Sequence, residues 1–426
     1  MAKNKLSILG GNMYKKFLLA AIFTSVLVGC SSESTESTNS NGTISVVSAG
    51  GAFSNPLGLI YLTQNDAEYT TSIAKNAAGS QITTNQDSIV RTYNDKIYVF
   101  GRDSNSAVLV LDNSGDNKDP IANYSLAELD PDGDFDIDGS FNGTNPYEIA
   151  FESESIAYVA FYNSNYILKI NPLTGNRLNS INVSFVKTIA GATASDANSP
   201  NIVDVELISG KLYILAQRFN AAFEPLESAI VIYDTQTEEF VDTNTDTEEI
   251  DGIILSGKNP SEMIYMSSSN KLLVAHRGAI TYTEDFSAIE STEIGSTGIE
   301  EVLVESNSTN GIIIPGTAFG GSNGGFGVGK LLYNSASGKI FAAYDAFDFS
   351  SNIKEINLTS LTVASSSILS SNATAFGDST IDGDGFIYLI NRSSTNPSID
   401  VYNSSTKTLI KSIATELPMQ SIAIVK

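Results

Sequence analysis

The 426-residue chain reads as all-β, folded into a closed ring of seven four-stranded units, a β-propeller. Three observations predict this. After Ile44 no long stretch keeps the 3.6-residue apolar period of a helix, whereas short β-branched and aromatic runs bounded by Gly, Asn, Asp and Ser recur throughout. One hairpin pattern repeats: an apolar strand, a tight polar turn, and a second apolar strand that often begins with lysine. The final run, "QSIAIVK" at 420–426, has the alternation of a buried strand and no following turn.

The elements follow in chain order. "YKKFLLAAIFTSVLV", residues 14 to 28, places Lys15 and Lys16 before an apolar run that is too short to span a bilayer as a helix and has the length of an export signal. The next residues, "LVGC" at 27–30, resemble the lipobox of bacterial lipoproteins. That resemblance implies cleavage before Cys30, acylation of its thiol, and stable anchoring through two or more acyl chains at roughly 0.8 kcal/mol per buried CH₂. Ser31, where an aspartate would resemble an inner-membrane retention signal, implies the outer membrane. Cys30 is the only cysteine, so the body contains no disulfide. Residues 1–29 are therefore expected as signal peptide, with translation starting at Met1 or Met13. Residues 30–43, polar and without large apolar side chains, are expected as a lipidated tether.

From residue 44 to 426 the propeller is expected. Hairpins lie at 88–102, 201–218, 261–277, 329–344 and 378–392, and third strands at 107–112, 229–235, 352–358 and 398–403. The clearest unit spans 145–183. Its "AYVAFYNSNYILKINPLTG" resembles the YVTN-type propeller repeat, in which a strand, a loop, a strand ending in Asn-Pro and a Thr-Gly turn follow in that order. The closing run "LPMQSIAIVK" looks like the first strand of such a unit. Its missing strands are expected at the other end of the chain, in 43–50, 57–63 and 69–74, which gives a ring of seven with six or eight as alternatives. The extra apolar runs in 300–316 fit either an insertion or part of an eighth unit.

Function is less legible than fold. The chain holds 48 acidic and 24 basic residues, which disfavours nucleic acid. Four of its six arginines, Arg102, Arg218, Arg277 and Arg392, end second strands, and Arg218 stands one residue out of register with the rest. This spacing predicts guanidiniums around one mouth of the ring, where a carboxylate, a phosphate or an acidic partner loop would bind. Pairing of each arginine with a neighbouring carboxylate is the alternative. His276, the only histidine, is a candidate general base at that mouth or simply a strand-end residue.

In "DPDGDFDIDG", residues 130–139, five aspartates (Asp130, Asp132, Asp134, Asp136 and Asp138) fall within nine residues. Asp134, Asp136, Asp138 and Gly139 resemble the opening of an EF-hand loop, which implies calcium. Asn145 stands where that loop needs its bidentate glutamate, so a solvated acidic loop is the competing expectation. "GGFGVGKL", 324–331, has P-loop spacing, but Leu331 replaces the magnesium-binding Ser or Thr and a strand follows, so it reads as a decoy. The expectation is a monomeric, lipid-anchored envelope module that binds a protein or an anionic ligand and needs no cofactor apart from the calcium under test. An extracytoplasmic hydrolase or lyase using carboxylates is the alternative.

Overall fold

The computed structural model describes residues 45–425 apart from 53–56, 65–67, 103–105, 114–118, 130–144, 190–196, 198, 247–248, 283–288, 321–324, 346–350 and 370–375. The signal segment, Cys30, the tether and the five aspartates of the acidic loop lie outside the described residues.

Seven antiparallel sheets follow one another around a ring. Blade 1 takes its innermost strand, Ser421–Val425, from the end of the chain and its next strands, Ser45–Gly50, Leu57–Gln64 and Thr71–Ile73, from the beginning. The register runs from Ser45 opposite Val425 to Ala49 opposite Ser421, so the closure expected from the sequence is present. The inner strands of blades 2 to 7 are Ser88–Tyr93, Pro146–Ser153, Ile202–Ile208, Pro260–Met266, Gly327–Asn334 and Phe376–Ile381. No eighth blade is needed for the apolar runs at 300–316. They form the third and fourth strands of blade 5, Gly298–Leu303 and Ser308–Pro315, and the insertion is instead the hairpin Ile280–Tyr282 with Ile289–Thr292.

Burial explains the sequence pattern. The second strands Lys96–Gly101, Lys211–Ala216 and Lys271–His276 are buried at every position after the leading lysine, because a mid-blade strand packs against both neighbouring blades. The lysines stay at the rim, where Lys96 meets Asp112 at 3.4 Å and Lys271 meets Glu301 at 2.8 Å. Fourth strands face solvent, as in Thr408–Ala414 of blade 7, where every residue but Ile413 is exposed. The apolar side chains collect in seven clusters, one between each pair of adjacent blades. The core is therefore a circle of blade–blade interfaces with no single centre.

Turns repeat as well. Where third strands end, Asn171, Asp234, Asn357 and Asn403 each accept two following backbone N–H groups on a side-chain oxygen, an Asx-turn that reverses the chain toward the fourth strand. Gly175 completes the "NPLTG" turn at φ 71°, a conformation that favours glycine.

Candidate functional site

At one mouth of the ring a short device recurs where the inner strands of blades 2 to 5 begin. Asn145, Asn201 and Asn259 all adopt φ near 49°. Their carbonyls accept the backbone N–H of Tyr162, Gln217 and Arg277, the residues that follow the second strands of blades 3, 4 and 5. In blade 2 the same bond joins Arg102 N–H to the Asp87 carbonyl. The bond pins one residue per blade at the mouth, so Arg102, Tyr162, Gln217 and Arg277 occupy equivalent places. Arg392 follows the second strand of blade 7 in the same way.

These side chains form a connected group. Arg102 pairs with Asp87 at 2.5 Å, and its guanidinium lies 5.5 Å from the centre of the Tyr147 ring. Tyr147 packs on Tyr162 with ring centres 5.1 Å apart. Burial raises the Tyr162 phenol, with Tyr147 adding to the shift and Arg277 opposing it, which places Arg277 within electrostatic reach of that ring. Arg392 is held below the ordinary arginine range by burial, while Asp87 pulls it up and Arg102 pushes it down. Three guanidiniums, two tyrosines and one carboxylate thus gather at the mouth.

Arg218 does not join them. Gln217 takes the equivalent place and donates to Asn259 Oδ1 and the Pro260 carbonyl at 3.0 and 2.6 Å. Arg218, one residue later at φ 57°, is fully buried and donates to the backbone carbonyls of Glu227 and Lys187. Its departure from the spacing of the other three reports this difference in role. Arg177 is also structural, donating to the Leu129 carbonyl and Ser180 Oγ.

His276 precedes Arg277 but is fully buried, away from any position where a general base would meet substrate. Its Nε2 lies 3.1 Å from Glu300 Oε2. Glu300 also accepts Ser256 N–H, Gly257 N–H and the Thr309 hydroxyl. Burial alone would raise this carboxyl, yet His276 and the other donors outweigh it and hold Glu300 below the usual carboxylate range. Because Ser256 and Gly257 belong to Ile253–Lys258, which pairs within blade 4, this cluster latches blade 4 to blade 5.

Deeper in the ring, each inner strand contributes one polar residue to a belt. Arg91 of blade 2 donates bidentately to Glu148 of blade 3 at 2.6 and 2.5 Å. Asp204 of blade 4 accepts Met263 N–H of blade 5, and Glu262 of blade 5 accepts Leu331 N–H of blade 6. Lys330 of blade 6 forms a close ion pair with Asp378 of blade 7. Asp378 also takes Ile422 N–H and the Ser421 hydroxyl of blade 1, and Ser421 Oγ accepts Val90 N–H of blade 2. Register shifts of the bulge type immediately precede Glu148, Asp204, Glu262 and Lys330, and a bulge re-aims the side chain beside it. Lys330, the lysine of the P-loop-like stretch, is thus a structural cation within a strand.

Sequence reasoning missed Asp87, Tyr147, Tyr162, Gln217 and the belt. A signal was available in "NPYE" (145–148), "NIVD" (201–204) and "NPSE" (259–262), three copies of Asn-x-x-acid at the start of successive inner strands. Among the described residues, no group of three or more His, Cys, Asp or Glu is placed to hold a metal ion.

No protein-family model matches the chain, and no curated protein matches it. Solved structures do. A putative 6-phosphogluconolactonase from Bacteroides fragilis superposes with a TM-score of 0.56 at 12% identity, covering 92% of this chain and 100% of that one. A putative 6-phosphogluconolactonase from Bacteroides uniformis gives 0.55 at 12% identity, with 90% and 99% covered. Apo AztD from Citrobacter koseri gives 0.50 at 11% identity, with 90% and 98% covered. At such identities the likeness shows the fold.

Proposed function

We propose that this propeller is a lipid-anchored envelope protein that binds an anionic group, a carboxylate or phosphate carried by a ligand or partner, at its arginine-bearing mouth. The gathering of Arg102, Arg277 and Arg392 around Tyr147 and Tyr162 carries this reading. Guanidinium offers planar paired donors to such groups, and the tyrosines add flat surfaces for an apolar face of the ligand. The whole chain is strongly acidic, so a local cationic mouth stands out against the surrounding field.

The carboxylate-enzyme alternative has less support. Glu148, Asp204, Glu262 and Asp378 are all buried within the belt and bonded to neighbouring blades. The neighbours named as lactonases share the fold at 12% identity, which does not transfer their activity.

The test is a thermal-shift and calorimetric screen of sugar phosphates, sugar acids and short acidic peptides. It compares wild type with a variant carrying Arg277→Gln and Arg392→Gln. The expected outcome is a saturable signal from at least one anion that weakens tenfold or more in the variant, whose own melting temperature is checked first. Equal binding by both proteins, or no signal from any anion, would remove the mouth from consideration.

A further inference from the structure

The belt closes unevenly. Direct bonds span the junctions from blade 2 to 3 and from blade 4 onward around to blade 2. Across blades 3, 4 and 5 the inner strands also bring acids within electrostatic reach of one another: Glu148, Asp204, Glu206 and Glu262. Of the two belt cations, Arg91 donates bidentately to Glu148 and Lys330 pairs with Asp378. Asp204, Glu206 and Glu262 receive the backbone N–H groups of Met263, Tyr265 and Leu331 respectively.

All three side chains are at most 3% exposed. Asp204 Oδ1 and Glu262 Oε1 are buried with no hydrogen-bond partner. A buried ionised carboxylate with a bare oxygen is costly, and neighbouring like charges add to the cost. A proton on the bare oxygen removes both costs and needs no space.

We propose that Asp204, Glu206 and Glu262 form a buried proton-binding site that holds at least one proton at neutral pH, and that its deprotonation weakens the ring where blades 4 and 5 meet. The electrostatic surroundings agree. Burial pushes the Glu262 carboxyl up to about 8, against the opposing pull of Lys330 and the Leu331 N–H and with the help of Asp378 and Glu148. Asp204 is raised by burial and by Glu148 and Glu262, against Met263 N–H and Arg91. Glu206 is raised by burial and by Asp204, Glu148 and Glu262. The other charged groups on packed strands are engaged elsewhere: Lys211 acts on Asp234, Lys271 pairs with Glu301, and His276 meets Glu300.

The sign follows from linkage. A carboxyl raised in the folded state contributes stability that is complete below its unfolded pKa and is lost as pH rises through its folded value. Denaturant unfolding of the full chain should therefore show stability falling between about pH 5 and pH 8, the upper bound being the Glu262 value. Glu262→Gln, which mimics the protonated acid, should flatten this slope by about one proton and should exceed wild type in stability at pH 8. Asp204→Asn provides a second reading of the same kind. Infrared spectra of wild type at pH 7 and pH 9 need no variant and should show a protonated-carboxyl band that disappears on the alkaline side. Three results would overturn the proposal: no such band at pH 7, parallel pH curves for wild type and both variants, or stabilisation by added calcium or magnesium that Glu262→Gln and Asp204→Asn both abolish. The last would make the occupant a cation.

Discussion

Gln217 and Arg218 differ by one place in the chain and by everything in environment. Gln217 is pinned at the mouth by its bond to the Asn201 carbonyl, whereas Arg218 turns back to satisfy the carbonyls of Glu227 and Lys187. Spacing alone hinted at the difference, but the choice between mouth and interior was made by backbone hydrogen bonding. Gly257 shows the same dependence on an unseen neighbour. A Cβ there would come within 2.2 Å of the His276 ring, so this strand of blade 4 approaches blade 5 only because the side chain is absent. Gly257→Ala should destabilise the protein by about 1–3 kcal/mol, the usual cost of overpacking. Adding His276→Ala should cost less in that background than in wild type, since the ring that clashes is gone. Strictly additive losses in urea unfolding would show that the two residues do not compete for this space.

Among the elements, the strand Ser421–Val425 carries the most for its length. It is the inner strand of blade 1, every residue in it is buried, and Ser421 links blades 7 and 2 through Asp378 and Val90. Ile422, Ile424 and Val425 each contribute roughly 1.5–3 kcal/mol on burial. That sum is a large part of a typical stability of about 5–15 kcal/mol. Deleting residues 420–426 should abolish the cooperative melting transition, and a truncated protein that melts as wild type does would refute closure by this strand. The alternation of its residues was legible from the sequence. Its partner in space, at the opposite end of the chain, followed from counting strands per unit.

The whole molecule combines a ring without a single core and a segment, residues 1–43, whose role rests on residue chemistry alone. The expected sequence of events is export, cleavage before Cys30, and acylation, which leaves the propeller on a polar tether above the membrane. Cys30→Ser should lose fatty-acid labelling and move the protein from the membrane fraction to the soluble envelope fraction, with its melting temperature unchanged. Membrane retention with no labelled lipid would rule out the anchor. Cleavage before Cys30 also removes Lys3, Lys5, Lys15 and Lys16 and no acid, so the exported body would be more acidic still. Against such a field, the mouth arginines would draw the proposed anion only at short range, within a Debye length of about 8–10 Å.

The structure settled the blade number at seven by placing 300–316 within blade 5, while the sequence by itself determined the strands, their grouping in fours and the pairing of the chain's two ends. Those properties are written in local periodicity and turn chemistry, which act over a few residues and repeat. Only the tertiary structure decided which arginines share a mouth, that His276 is sealed in a latch, and that one polar residue per inner strand joins a belt around the ring. The belt residues are Ser421, Arg91, Glu148, Asp204, Glu262, Lys330 and Asp378. They lie far apart in the chain and differ in type from blade to blade, so no local pattern marks them as a set. What unites them is the bulge that turns most of them toward a neighbour, and the low dielectric that makes each partner, or each missing partner, count.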